Sequence, residues 1–262
     1  MDLGLAGKTA IITGASKGIG YGVAESLGRE SCKLHLVARD KEMLESAAAR
    51  LKSKFDVDVT IHPTDLSVSG SATKLLAQTG VPDILVNNAG AIPGGDLLDV
   101  DEEIWRSAWD LKVFGYINLA RQAFEAMKAQ GFGVIANITG LAGDKPDFSY
   151  IAGTAGNASL NAFTRALGSY SLEYGVRVFA VSPGPVETER LVGLMKTRAK
   201  TDTGSEDGWR TGFSGMPMGR AAKVEEIADV VAFLVSERAS YVSGTVLTID
   251  GGHGSRGGSF SK

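Results

Sequence analysis

Residues 13–20 read Thr13-Gly14-Ala15-Ser16-Lys17-Gly18-Ile19-Gly20. They follow directly on a short β-branched stretch, Thr9–Thr13, and lead into a helical pattern at Gly20–Glu30. Glycines in such a turn let the backbone bend sharply and approach a pyrophosphate closely. The helix that follows offers free N–H groups and the positive end of its dipole. Alone, a glycine-rich turn is a weak signal. Between a first strand and a first helix it predicts a dinucleotide-binding βαβ unit.

Working outward, short apolar runs alternate with helical patterns along the chain. Strands are expected at Thr9–Thr13, Lys33–Val37, Val57–His62, Ile84–Asn87, Val134–Ile138, Val176–Ser182 and Val246–Ile249. Their Val, Ile and Leu content is that of strands covered on both faces. Helices are expected at Gly20–Glu30, Lys41–Lys54, Ser67–Gln78, Asp101–Ala129, Tyr150–Tyr174 and Val224–Ser236. This alternation predicts an α/β protein of Rossmann type, a doubly wound parallel sheet in three layers. No repeat beyond the βα unit and no Pro- or Ser-rich linker divides the chain. A single domain over residues 1–252 is expected, with a Gly-, Ser- and Arg-rich flexible tail at 253–262.

Composition narrows the function. Of 262 residues, 34 are glycine, nearly twice the usual share, as close backbone approaches demand. Lys plus Arg total 27 against 30 for Asp plus Glu, a net charge of −3 that gives no reason to expect nucleic acid or an acidic membrane. No apolar run reaches the roughly 18–20 residues of a membrane span. The N-terminus carries no signal-peptide pattern, and Cys32 stands alone, which together point to the cytoplasm. His35, His62 and His253 are scattered, so no metal site is expected. Thr201–Met218 is polar but carries Trp209, Phe213, Met216 and Met218. It reads equally as a lid over a ligand or as a segment packed on its own domain or on a neighbouring subunit.

Further marks lie in order along the chain. Asp65-Leu66 follows the third strand, Asn87-Asn88-Ala89-Gly90 the fourth, and Pro183-Gly184-Pro185-Val186 the sixth. Pro217-Met218-Gly219-Arg220 leads into Glu225-Glu226-Ile227-Ala228. Asp250-Gly251-Gly252 closes the pattern. With the Gly14, Gly18, Gly20 spacing, these motifs resemble the short-chain dehydrogenase/reductase family from about Gly7 to Gly252. The resemblance implies a seven-stranded parallel sheet, a nicotinamide cofactor, a small-molecule substrate and a homo-oligomer, a tetramer or dimer.

It also implies a cofactor site. Gly14, Ser16, Lys17, Gly18, Ile19 and Gly20 would hold the pyrophosphate. Asp65 would accept from the adenine amine, with the N–H of Leu66 beside the ring. Asn88, Ala89 and Gly90 would leave room for ribose and ring. Pro183, Gly184, Val186 and Thr188 would lie by the nicotinamide. In NAD users of the family an acidic residue usually ends the second strand, but Ala38 stands there, followed by Arg39. Arg39 and Lys17 could converge on a 2′-phosphate, so NADP is expected over NAD.

The family's active site normally joins Asn, Ser, Tyr and Lys, the last two spaced YxxxK. Here Tyr150 matches, but Thr154 replaces the Lys. Gly140 stands at the Ser position with Thr139 beside it, and Lys112 stands where the Asn is expected. The stretch from Gly140 to Tyr150 is two or three residues shorter than usual, which leaves the alignment open. Two readings follow. In one the site is rearranged and working: Tyr150 is the acid/base, Lys112 the cation that lowers its pKa, and Thr139 a donor to the substrate oxygen. The reaction is then hydride transfer between NADP(H) and a secondary alcohol or ketone. In the other the chain binds NADP without turnover and acts as a sensor or scaffold. A buried Lys without a purpose is costly, which favours the first.

Overall fold

The computed structural model describes residues 1–256. Seven strands form one sheet: β1 (Thr9–Thr13), β2 (Lys33–Ala38), β3 (Val59–Pro63), β4 (Ile84–Asn87), β5 (Gly133–Ile138), β6 (Val176–Pro183) and β7 (Val246–Ile249). Their order is β3-β2-β1-β4-β5-β6-β7, and every neighbouring pair runs parallel. The chain moves outward from β1 to β3, then returns to β4 on the other side of β1. That reversal opens a crevice at the carboxyl ends of β1 and β4, where ligands of doubly wound sheets bind.

Helices cover both faces. On one lie α1 (Gly18–Arg29), α2 (Lys41–Phe55) and α8 (Val224–Val235), whose Val23, Leu27, Leu44, Leu51, Ile227 and Val231 share a core with Ile12, Leu36 and Val86. On the other lie α3 (Ser71–Thr79), α5 (Gly115–Gln130) and α6 (Ile151–Ser171). Leu75, Leu119, Ala123 and Met127 there pack on Ile11, Leu85, Ile135 and Val178. The three expected layers are present, and no helix of the described residues is long and apolar enough to cross a membrane.

The departures from the sequence reading have local causes. The third helix begins at Ser71 rather than Ser67, because Asp65 accepts from the Ser67 N–H at 2.9 Å and holds that stretch as a turn. The long helix expected at Asp101–Ala129 is two, α4 (Glu102–Trp109) and α5, joined by a π-helical turn at Asp110–Phe114. Thr201–Met218 is not one loop. Its first residues end a helix the sequence reading missed, α7 (Glu189–Thr203), whose polar, weakly periodic surface gave little signal. Within the rest, Phe213 is buried and meets Trp209 edge-on at 5.7 Å, so this segment packs on its own domain.

His35 and His62 are not scattered. They meet on adjacent strands with Nδ1 and Nε2 2.9 Å apart, and burial lowers both pKa values. Of the expected tail, His253–Arg256 is tied back, with Lys145 donating to the His253 carbonyl and Arg256 to the Gly215 carbonyl. Residues 257–262 lie outside the described residues.

Candidate active site

A cleft of about 500 Å³ opens at the predicted crevice. Gly14, Ser16, Lys17, Gly18 and Ile19 line it from the first turn, Arg39 and Leu66 from one end, and Asn88, Ala89 and Gly90 from its floor. Lys112, Thr139, Thr188 and Arg190 line the other end. Gly20, Asp65, Pro183, Gly184, Val186 and Tyr150 stand outside this lining.

The floor is stapled by Thr13. Its hydroxyl accepts from the N–H groups of Asn88 (2.8 Å) and Ala89 (3.0 Å), while the Asn88 amide donates to the Thr13 carbonyl at 3.0 Å. The glycine turn sits against this staple with no room for side chains. A Cβ on Gly14, whose φ is +65°, would lie 2.8 Å from Asn88 Nδ2, and one on Gly20 would strike the Gly14 carbonyl. Gly20 thus closes the turn from behind. The result is a bare backbone cradle at the N-terminus of α1, which fits a pyrophosphate.

At the Arg39 end, β2 stops at Ala38. The nearby carboxylate, Asp40, is engaged as the N-cap of α2, accepting from the Met43 N–H at 3.0 Å. Lys17 and Arg39 are exposed on the cleft wall. Asp65 spends one oxygen on Ser67, whose hydroxyl bond above all holds its carboxyl below the usual range. On the far side, Pro183 ends β6 and Gly184 follows it, with the Gly184 N–H on the Ile249 carbonyl at 2.9 Å. Val186 bridges to Ala222, and Thr188 caps α7.

At the Lys112 end the side chains are less well served. The Lys112 side chain is half-buried, and its ammonium donates to the Thr139 carbonyl at 3.3 Å and lies 5.8 Å from the Tyr116 ring. No carboxylate acts on it among the described residues. Burial first, then Arg190, lowers its pKa to about 8. Arg190, which the sequence reading did not single out, donates to the Ile92 carbonyl at 2.8 Å. Burial pushes the Tyr150 phenol up from its ordinary value, with Arg190 pulling the other way. The expectation that Lys112 depresses the Tyr150 pKa is therefore corrected: the ammonium is turned to Thr139, and the cation that acts on the phenol is Arg190. Among the described residues the Thr139 hydroxyl reaches only the Val181 carbonyl, at 3.4 Å.

Thr154 faces away from the cleft, with its hydroxyl on the backbone of Asp147. The residue of α6 that reaches Gly140 is Asn157, also unremarked in the sequence reading. It is 2% exposed, and its Nδ2 lies 3.1 Å from where a Gly140 Cβ would be. Its Oδ1 has no partner among the described residues. The one signal for it was the short stretch before Tyr150, which hinted that the helix register was displaced.

A doubly wound parallel sheet, a bare glycine cradle at its switch point and a cleft along the strand ends define a dinucleotide-binding protein of Rossmann type. The chain matches the family model described as enoyl-(acyl carrier protein) reductase over residues 14–254, and it belongs to the short-chain dehydrogenase/reductase family. It is 32% identical over 255 residues to a 3-oxoacyl-[acyl-carrier-protein] reductase of Chlamydia muridarum, covering 95% of this chain and 98% of the relative. Among solved structures it resembles L-sorbose reductase from Gluconobacter frateurii complexed with NADPH and L-sorbose, with a TM-score of 0.90, 32% identity and coverage of 96% and 98%. An NAD+-bound xylitol dehydrogenase matches with a TM-score of 0.86 and 25% identity, covering 95% and 99%. These relatives are ketoreductases and dehydrogenases.

Proposed function

We propose that the protein is an NADP(H)-dependent oxidoreductase moving a hydride between the nicotinamide and a secondary alcohol or ketone. The observation that carries this reading is Lys112, a half-buried ammonium with no carboxylate partner among the described residues, held at the cleft end away from Arg39. Such a group costs stability and earns its place only by acting on something that enters the cleft. NADP is preferred over NAD because Lys17 and Arg39 flank the end where Ala38 replaces the usual acid and Asp40 is occupied as a cap. The bound cofactor would supply or accept the hydride. Tyr150 would exchange the proton with the substrate oxygen, and Arg190 and Lys112 would offset charge developing there. Thr139 would turn its hydroxyl from its long bond to Val181 toward the same oxygen. Lys112 and Gly140 make this a rearranged active site for the family. The same reading carries a homo-oligomer, a tetramer or dimer, working in the cytoplasm.

The second reading, NADP binding without turnover, draws on Tyr150 standing outside the cleft lining. One experiment separates the two: a broad alcohol and ketone screen read by absorbance of the reduced cofactor, paired with NADPH and NADH titrations. Turnover that falls about 100-fold or more in Tyr150→Phe, with NADPH affinity kept, is the expected result. Tight NADPH binding with no turnover across the screen would overturn the first reading in favour of the second.

A further inference from the structure

The tyrosine does not stand where a helix residue facing the cleft would stand. Tyr150 is the N-cap of α6, with φ −142° and ψ 42°, and its carbonyl takes the Thr154 N–H at 2.8 Å. Its ring folds forward along its own helix. A Cβ built on Gly153 would fall inside that ring, meeting Cζ, Cε1 and Cε2. In a helix each Cα–Cβ bond tilts toward the N-terminus, so a side chain at 153 would lean back over the turn that starts at Tyr150. The phenol occupies that space.

The face of the helix follows the same register. Residues four apart share a face, so 153 is aligned with 157 and 150 with 154. Asn157 is buried beside Gly140 with an Oδ1 that has no partner among the described residues, whereas Thr154 is bonded to the Asp147 loop. The inward pair of α6 is thus Gly153 and Asn157. The aromatic ring belonging to that pair is delivered from one turn upstream.

We propose that Gly153 is the positioning residue for Tyr150: its missing side chain is the seat from which the phenol serves the cleft. This rests on the reading of Tyr150 as the acid/base, and its test is chosen to fail separately from that reading. In an ordinary helix interior Gly→Ala raises stability, because glycine has more backbone freedom to lose. Gly153→Ala is expected to lower Tm in the otherwise unchanged protein and to raise it when Tyr150→Ala is also present.

The phenol gives a second signal. Its ultraviolet titration, isolated by subtracting the matching Tyr150→Phe protein, should lie above the ordinary value of about 10. It should move down toward that value in Gly153→Ala, as the ring leaves its buried seat. With a substrate from the screen, Gly153→Ala should lose about 100-fold in kcat while keeping NADPH affinity, and adding Tyr150→Phe should cost little more. If Gly153→Ala does not fold while the double variant with Tyr150→Ala does, the seat is supported. If neither folds, or if Gly153→Ala raises Tm and leaves the phenol titration unchanged, the seat is overturned. Wild-type protein that turns over no ketone, with titration and Tm as expected, would instead overturn the reading of Tyr150 as acid/base and leave the seat intact.

Discussion

Two cations, one buried and one half-buried at the cleft, sit at opposite ends of the sheet and are treated differently. Arg177, at the start of β6, is 5% exposed and donates to four carbonyls: Leu234 (2.6 Å), Val235 (3.0 Å), Ser236 (3.0 Å) and Ala239 (3.1 Å). Two of them, Leu234 and Val235, are carbonyls at the C-terminus of α8, and the other two belong to the turn after it, where each also accepts a backbone N–H; a positive charge is favourable there. Lys112, at the cleft, has one carbonyl at 3.3 Å and another cation for a neighbour. A cation held by four carbonyls of its own chain holds the fold together. A cation left short of acceptors is a cost the fold carries for something it does not itself contain.

That contrast breaks most easily at Arg177. Arg177→Leu strands the Leu234 and Val235 carbonyls and uncaps α8, and should destabilise the protein by about 3–5 kcal/mol in denaturant unfolding. A loss under 1 kcal/mol would show that the bonds are incidental.

Lys112→Met should act in the opposite direction. The folded pKa of about 8 lies below the unfolded value, so below pH 8 both states hold the proton and the folded state bears the whole burial cost. Removing the charge should stabilise by roughly 3 kcal/mol at pH 7. The gain should shrink as pH rises from 8 toward 10, because the folded wild-type protein sheds its proton there while the unfolded chain keeps it. Melting curves across that range check the sign, and a gain that grows with pH would refute it.

The other end of the cleft sharpens the comparison, because its cations are exposed and, on the proposed reading, serve a phosphate. Arg39→Ala should reduce the preference for NADPH over NADH by roughly 2–3 kcal/mol, about 30- to 150-fold, with NADH affinity nearly unchanged. Equal loss for both cofactors in calorimetry would place Arg39 elsewhere. The smallest effect concerns the staple. Thr13→Val leaves the N–H groups of Asn88 and Ala89 without their acceptor and should cost about 1–2 kcal/mol of stability, read as a shift in denaturant midpoint at constant slope.

The same division explains what the sequence made readable. The strands, the switch point and the glycine cradle depend on backbone geometry, which Gly14 and Gly20 and the β-branched runs encode within a few residues. The Lys112 end depends on side chains from the π-helical turn before α5, from the residue after β5, and from α6 and α7, brought together by the fold. Lys112 was readable as an anomaly of residue type. Its partner was not, since nothing local says that its ammonium turns to Thr139. Arg190 and Asn157 were missed because α7 carries little apolar periodicity and because a three-residue displacement along α6 changes which face looks inward. The reading that paired Tyr150 with Thr154 used the right spacing in the wrong register.

The π-helical turn at Asp110–Phe114, where the Gly115 N–H reaches back five residues to the Asp110 carbonyl, bears on how such a site can change. A π turn is an α-helix with one residue too many, and each residue of an α-helix accounts for about 100° of rotation. Losing any one of these five residues would let α4 and α5 fuse in phase, with both helices keeping their lengths and their cores. The residue presented to the cleft would then be a different one. At this point in the chain a change in length, rather than a substitution, decides which chemistry faces the cleft.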